Sequence, residues 1–173
     1  KTLLSSCGLL PVSRQSGAAL FVNSIRHVEA SDAAGVYSLE RECFPDPYPS
    51  QLLDTLMKTR RDFFFVAIEW GRIIGYAVGT PRGREGHIDS LAVAPHCRRR
   101  GIGEALLSAV SRALVENGTR EIHLEVRKGN KAAISFYESM GFTRSSELKH
   151  YYADGEDAWV LRRTMTSSPL ADQ

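Results

Sequence analysis

Ile102, Ala105, Leu106, Ala109, Val110, Ala113 and Leu114 recur at the three- and four-residue spacing of a helix that buries one face. They predict the clearest element of the chain, opened at Gly101 and closed by Asn117-Gly118. Phe63 to Ile68 is instead a continuous apolar run of strand length, and reads as a buried strand. Trp70-Gly71 turns it into a partner, Ile73 to Gly79, and the Gly- and Arg-rich stretch Thr80 to Gly86 reads as a mobile loop. A central strand follows from His87 to Ala94. Before these lie a short strand, Ser24 to Val28, and two helices. The first is capped by Ser31 or Asp32, carries Val36, Leu39 and Cys43 on one face, and ends near Phe44, where Pro45, Pro47 and Pro49 crowd the chain. The second is capped by Ser50 and turns Leu52, Leu53, Leu56 and Met57 inward. After the long helix come a strand, Glu121 to Val126, and a helix capped by Asn130 that carries Ala133, Phe136, Tyr137 and Met140 and stops at Gly141. Two strands close the pattern, Thr143 to Tyr151 and Asp157 to Arg163, joined through Ala153 to Glu156. A helix between the fourth and fifth strands makes those two parallel.

Composition changes this picture little. The chain has 173 residues, 43% hydrophobic and 24% charged, which suits one domain with its own core. A net charge of +2 does not call for direct nucleic-acid binding. No apolar run is long enough to span a membrane. Cys7, Cys43 and Cys97 are odd in number and far apart, as expected of a reduced, cytoplasmic protein. Residues 1–23 lack acidic side chains and read as an N-terminal extension, a tail or an extra strand. The domain is expected over 24–166, with a flexible tail over 167–173. The opening on Lys1 reads as a missing start.

Chemistry enters at the turn before the long helix. Arg98, Gly101 and Gly103 stand as Arg-x-x-Gly-x-Gly, where a strand gives way to a helix N-terminus. Unpaired N–H groups and the positive end of the helix dipole make such a turn an anion site, above all for phosphate. No Gly-Lys-Ser/Thr follows, so it is not a P-loop, and no third glycine completes the dinucleotide pattern.

This turn, after a strand reading Leu91-Ala92-Val93, resembles the acyl-coenzyme-A signature of the GNAT acetyltransferases. The element order agrees with that fold, an α/β (α+β) architecture. Its mixed central sheet holds two splayed parallel strands and is flanked by helices. The resemblance implies acetyl-CoA as cosubstrate, with its pyrophosphate on Arg98, Arg99, Arg100, Gly101, Ile102, Gly103 and Glu104. Its pantetheine would pair with the backbone of Leu91, Ala92 and Val93, and Asn130 would touch the cofactor. Leu124-Glu125-Val126-Arg127 and Phe136-Tyr137-Glu138 are similar to the branch that modifies protein N-termini. That implies Glu125 as general base, through water, and Tyr137 as general acid beside the cofactor thiol. The bacterial enzyme that acetylates a ribosomal protein is a close relative by the same motif.

Two loops extend the resemblance. Cys43 to Pro49 keeps the Tyr48-Pro49 of the family's peptide-gripping loop but departs from it elsewhere, and Tyr151-Tyr152-Ala153-Asp154-Gly155-Glu156-Asp157 matches its second wall. Tyr48 and Tyr152 are therefore implied as substrate-binding, with His87 beside them. His87 could be a second base, could meet Glu125 through water or a metal, or could simply anchor its strand; no metal set is assigned. Cys97 beside three arginines is either a thiol of lowered pKa or structural. The implied substrate is a protein or peptide N-terminus, with the ribosome or an auxiliary subunit as candidate partners. An α-amine, with pKa about 7.7–8.0 against about 10.4 for lysine, is freed for roughly 3.5 kcal/mol less. The alternatives are acetylation of a lysine side chain or small amine on the same fold, and a coenzyme-A-binding module without catalysis.

Overall fold

The structure, a computed structural model, describes residues 24–165, so the expected extension 1–23 and tail 167–173 lie outside it. Eleven elements follow in the expected order. They are β1 (Ser24–His27), α1 (Ala33–Cys43), α2 (Ser50–Thr59), β2 (Phe64–Glu69), β3 (Arg72–Arg82) and β4 (Glu85–Val93). After these come α3 (Ile102–Glu116), β5 (Glu121–Arg127), α4 (Lys131–Ser139), β6 (Thr143–Leu148) and β7 (Ala158–Thr164). The strands form one seven-stranded sheet in the order β1-β2-β3-β4-β5-β7-β6. Every neighbouring pair is antiparallel except β4 and β5.

Helices cover both faces. On β3, Gly75 and Tyr76 are successive residues and so point to opposite sides. A side chain on Gly75 would meet Leu106 and Ile102 of α3, whereas the Tyr76 hydroxyl reaches Glu40 of α1. Gly75, Gly79 and Gly86 together let α3 lie close on the sheet, because a Cβ at each would come within 2.9–3.0 Å of Leu106, Val110 or Leu114. The apolar stripe read from the sequence thus fills the core, with Ile102, Leu106, Val110 and Leu114 almost wholly buried.

The parallel pairing is brief. β4 and β5 pair only at Glu85↔Glu121, Gly86↔Ile122 and His87↔His123. Beyond that point β4 stays with β3 and β5 stays with β7, so a wedge opens between them.

Several local expectations give way. The stretch Thr80 to Gly86 is not a mobile loop but a hairpin: β3 runs to Arg82, β4 starts at Glu85, and Gly83 takes the positive φ of 65° that the tight turn needs. Ser50 does not cap α2; Pro49 occupies the cap position and no side chain accepts a bond there. Leu52 does not turn inward but is 41% exposed, since the inward face of α2 is set by Leu53 and Met57. Asp32 stands at the N-cap of α1 without a cap bond, because its carboxylate is spent on Arg26 and the Glu29 N–H. β6 ends at Leu148, three residues early, where His150 adopts a positive φ of 51° and the chain leaves for the loop before β7.

Candidate active site

The wedge has a floor, two walls and an anion turn. Its floor is where β4 and β5 part. His87 and Asp89 alternate along β4 onto one face, and His123 and Glu125 alternate likewise along β5. The His87 Nε2 lies 2.6 Å from Glu125 Oε2 and its Nδ1 lies 2.8 Å from Asp89 Oδ1. Asp89 is held in turn by the Thr80 hydroxyl at 2.7 Å, which itself accepts from Arg60 Nε at 3.1 Å. Burial works against a charge on His87, but the two flanking carboxylates outweigh it and push the imidazole up to about 9. The hydrogen bond from His87 is the chief reason that the Glu125 carboxyl sits below the ordinary carboxylate range, against the opposing effect of burial. The two therefore stand as an ion pair through neutral pH.

That pair makes stability depend on pH. The folded pKa of His87 lies above its unfolded value, so its contribution is complete below about 6.5 and is lost as pH rises through about 9. At about 1.36 kcal/mol per unit the whole span is about 3 kcal/mol at most, shared with its carboxylate partners. The melting temperature is expected to fall between pH 7 and pH 10 by more in the wild type than in His87→Gln. Parallel curves for the two proteins would show that no such charge pair exists.

Tyr137 comes from the inward face of α4, packed beside Phe136 and Phe142 with ring centroids at 5.1 and 5.8 Å. Burial pushes its phenol well above the usual value, so it stays protonated and keeps an O–H to donate. Its hydroxyl has no hydrogen-bond partner among the described residues.

The first wall is the loop between α1 and α2. The Tyr48 N–H donates to Glu40 Oε1 at 2.8 Å and its hydroxyl donates to the Asp89 carbonyl at 3.1 Å. Glu40 is 2% exposed, and its other oxygen accepts from Tyr76. A buried carboxylate bonded on both oxygens thus fixes where Tyr48 stands. The second wall is the loop between β6 and β7. The Arg127 guanidinium stacks 3.9 Å from the Tyr152 ring centroid and bonds Asp154 and Glu156 at 2.7 and 2.8 Å. Burial pushes the phenols of Tyr48 and Tyr152 up to about 12 each, so both are neutral donors. Tyr48 lies near enough to Tyr151 and Glu125, and Tyr137 to Tyr152, for charge on one to be felt by the other. The two loops and the floor therefore lie close to one another.

The open edge of β4 supplies backbone groups. Ala94 N–H bonds the Ile74 carbonyl and Tyr76 pairs with Ala92, so the ladder to β3 uses the even positions. Leu91 and Val93 turn their backbone groups to the wedge instead, and Ala92 is committed to β3. At the end of this edge lies the turn into α3. Gly101 takes a positive φ of 76°, and the first helical bond is Ala105 N–H to the Gly101 carbonyl at 3.0 Å. The N–H groups of Ile102, Gly103 and Glu104 consequently point out of the helix end. A Cβ on Gly103 would lie 3.4 Å from Phe136 and 3.8 Å from Val93, which places this helix end between β4 and α4. The three arginines diverge. Arg98 Nε donates to the Val93 carbonyl at 3.1 Å, Arg100 is drawn back to Glu69 and the Cys97 sulfur, and Arg99, at a positive φ of 63°, faces solvent. Cys97 is buried beneath the turn. Asn130 caps α4, its Oδ1 accepting from the Ala133 N–H at 3.1 Å.

Sequence reading passed over Asp89, His123, Glu40 and Tyr76. The first two had a signal, since His-x-Asp and His-x-Glu on adjacent strands share a face at period two. Glu40 and Tyr76 had none, because nothing local distinguishes a buried glutamate in a helix from a solvated one.

A sheet that opens between two parallel strands, with a helix N-terminus at the mouth, leaves unpaired backbone groups and an anion-favouring helix end at one place. The profile described as the "Acetyltransferase (GNAT) family" matches residues 33–142, and the chain belongs to that family. It is 36% identical over 152 residues to an "N-alpha-acetyltransferase" of Sulfurisphaera tokodaii, covering 79% of this chain and 90% of that protein. It is 30% identical over 143 residues to the "[Ribosomal protein bS18]-alanine N-acetyltransferase" of Escherichia coli, covering 81% and 96%. Among solved structures, Ard1 from Thermoplasma volcanium superposes with a TM-score of 0.79 at 30% identity, over 83% of this chain and 98% of that one.

Proposed function

We propose that this chain transfers the acetyl group of acetyl-CoA to the free α-amino group at protein N-termini. The reading rests on one observation above the others: the His87–Glu125 pair stands at the floor of a wedge whose two walls carry Tyr48 and Tyr152. The names of the relatives support the substrate class.

The donor would enter with its diphosphate on the N–H groups of residues 101–104 and its pantetheine along Leu91 and Val93, as an added strand would lie. The amine would come from the opposite side, between the tyrosines, whose neutral hydroxyls can bond a peptide backbone. Direct attack then forms the N–C bond and breaks the C–S bond. Glu125 takes the proton leaving nitrogen, through water, and Tyr137 gives one to the departing thiolate. A carboxylate held below its usual range is a weak base, so passing it a proton from an ammonium near 8 is uphill by roughly 5 kcal/mol. The amine that attacks is therefore the neutral form, and the His87–Glu125 pair handles the proton only as the bond forms. That favours an α-amine over lysine. Cys43 and Cys97 are free thiols, in keeping with a reducing cytoplasm. Among the described residues no helix is long and apolar enough to cross a membrane.

Intact-mass assays with acetyl-CoA and peptides that differ in the first residue test this. Single acetylation at the α-amine, abolished when the N-terminus is blocked, is expected. Acetylation confined to internal lysines or small amines would replace this reading with the lysine or small-molecule one.

A further inference from the structure

The floor of the wedge holds more nitrogen and oxygen donors than a base needs. One ring nitrogen of His87, one of His123 and a carboxylate oxygen of Glu125 all lie within 4.8 Å of one another. They come from the last rung of parallel pairing, His87↔His123, and from the next residue on the same face of β5. We propose that this cluster binds a divalent transition metal ion of the zinc class, and that the bound ion shuts the enzyme off by taking the Glu125 carboxylate.

Three observations point the same way. His87 is already oriented as a ligand, because its Nδ1 meets Asp89 at 2.8 Å and its Nε2 faces Glu125; the ion takes the place of the proton between Nε2 and Glu125, so binding releases that proton and strengthens as pH rises. A carboxylate on the far nitrogen is how proteins fix the tautomer and ring plane of a zinc-bound histidine. Here that carboxylate is itself tethered by Thr80. His123 is only 8% exposed, yet its Nδ1 has no hydrogen-bond partner among the described residues, and Glu85 Oε2 lies 3.8 Å away from it. The His123 ring centroid lies 5.0 Å from that of His87, and one nitrogen of each ring belongs to the cluster. The donor set, two imidazoles and one carboxylate, is that of open zinc sites, with the fourth position left to water or an incoming group.

The geometry needs only modest adjustment. Tetrahedral zinc with Zn–N of about 2.0–2.1 Å sets its ligand atoms about 3.3 Å apart. His87 and Glu125 would part by well under 1 Å from their present 2.6 Å, and His123 would close in from within 4.8 Å. All three side chains stand on paired strands, so the adjustment falls to their side-chain torsions.

Zinc binding itself does not depend on Glu125 being the base; only the inhibition rests on that reading. Calorimetry of the wild-type protein with Zn²⁺ is expected to show one equivalent bound at micromolar or tighter affinity. Losing one ligand in His123→Gln should weaken this at least by the roughly 10–100-fold that even outer partners of a zinc histidine are worth. Equal affinity in the two proteins, or no binding to the wild type, would overturn the site. If His123→Gln does not fold, Co²⁺ added to the wild type decides: one equivalent should give the intense visible bands of a tetrahedral site, erased by Zn²⁺, and weak octahedral bands would overturn the site. Acetyl-transfer rates read alongside should fall in step with occupancy and return with a chelator. Tight binding with an unchanged rate would keep the site and remove Glu125 as the base.

Discussion

Glu125→Gln should lower kcat by about 10²–10⁴-fold, the ordinary worth of a positioned general base. The substitution keeps the size of the side chain, and its amide oxygen can still accept from His87 Nε2, now at 2.6 Å from the carboxylate. What disappears is the negative charge that takes up the proton and that, with Asp89, holds His87 protonated up to about 9. KM for the peptide and for acetyl-CoA should change little, since the expected grips lie elsewhere, at Tyr48, Tyr152 and the turn into α3. Initial rates over both substrates measure this, with thermal melting as the check on folding. A folded variant turning over near the wild-type rate would remove Glu125 from the reaction.

Tyr137→Phe should lower kcat by at least about tenfold while leaving both KM values near wild type, the signature of a group used only in the transition state. The structure makes this variant unusually clean. The hydroxyl has no protein partner among the described residues, so its loss strands no buried group, and the ring keeps its contacts with Phe136 and Phe142. Burial raises the phenol, which rules out a phenolate base at neutral pH and leaves donation as its one protonic role. Giving a proton to a thiolate near 8.5 from a phenol near 10 is uphill by roughly 2 kcal/mol before burial is counted. The transfer therefore draws on the charge that builds on sulfur as the C–S bond breaks, and the phenolate left behind must be reprotonated before the next turnover. A change confined to KM would make Tyr137 a wall of the cofactor site and nothing more.

The sequence by itself carried the frame. Helical spacing from Ile102 to Leu114, the apolar run at Phe63–Ile68 and the turn residues Trp70-Gly71 and Asn117-Gly118 determined the elements and their order, because periodicity and turn chemistry are local properties of the chain. Arg98, Gly101 and Gly103 located the turn into α3 for the same reason. Where local signals misled, a neighbour had intervened. Thr80 to Gly86 has the composition of a loop, yet pairing between β3 and β4 draws it into a hairpin. Ser50 has the chemistry of a cap, yet Pro49 holds that position. What only the tertiary structure decided is which charges meet. His87 and Glu125 are 38 residues apart, and Tyr48 and Asp89 41 apart, and each pair is joined because one sheet parts after three rungs of parallel pairing. Protonation states follow from such meetings, since a pKa reports burial and partners rather than residue type. The chain therefore announces a glycine-bearing turn before a helix on its own, but a charged His87, a protonated Tyr137 and a His123 buried against His87 exist only once the strands are in place.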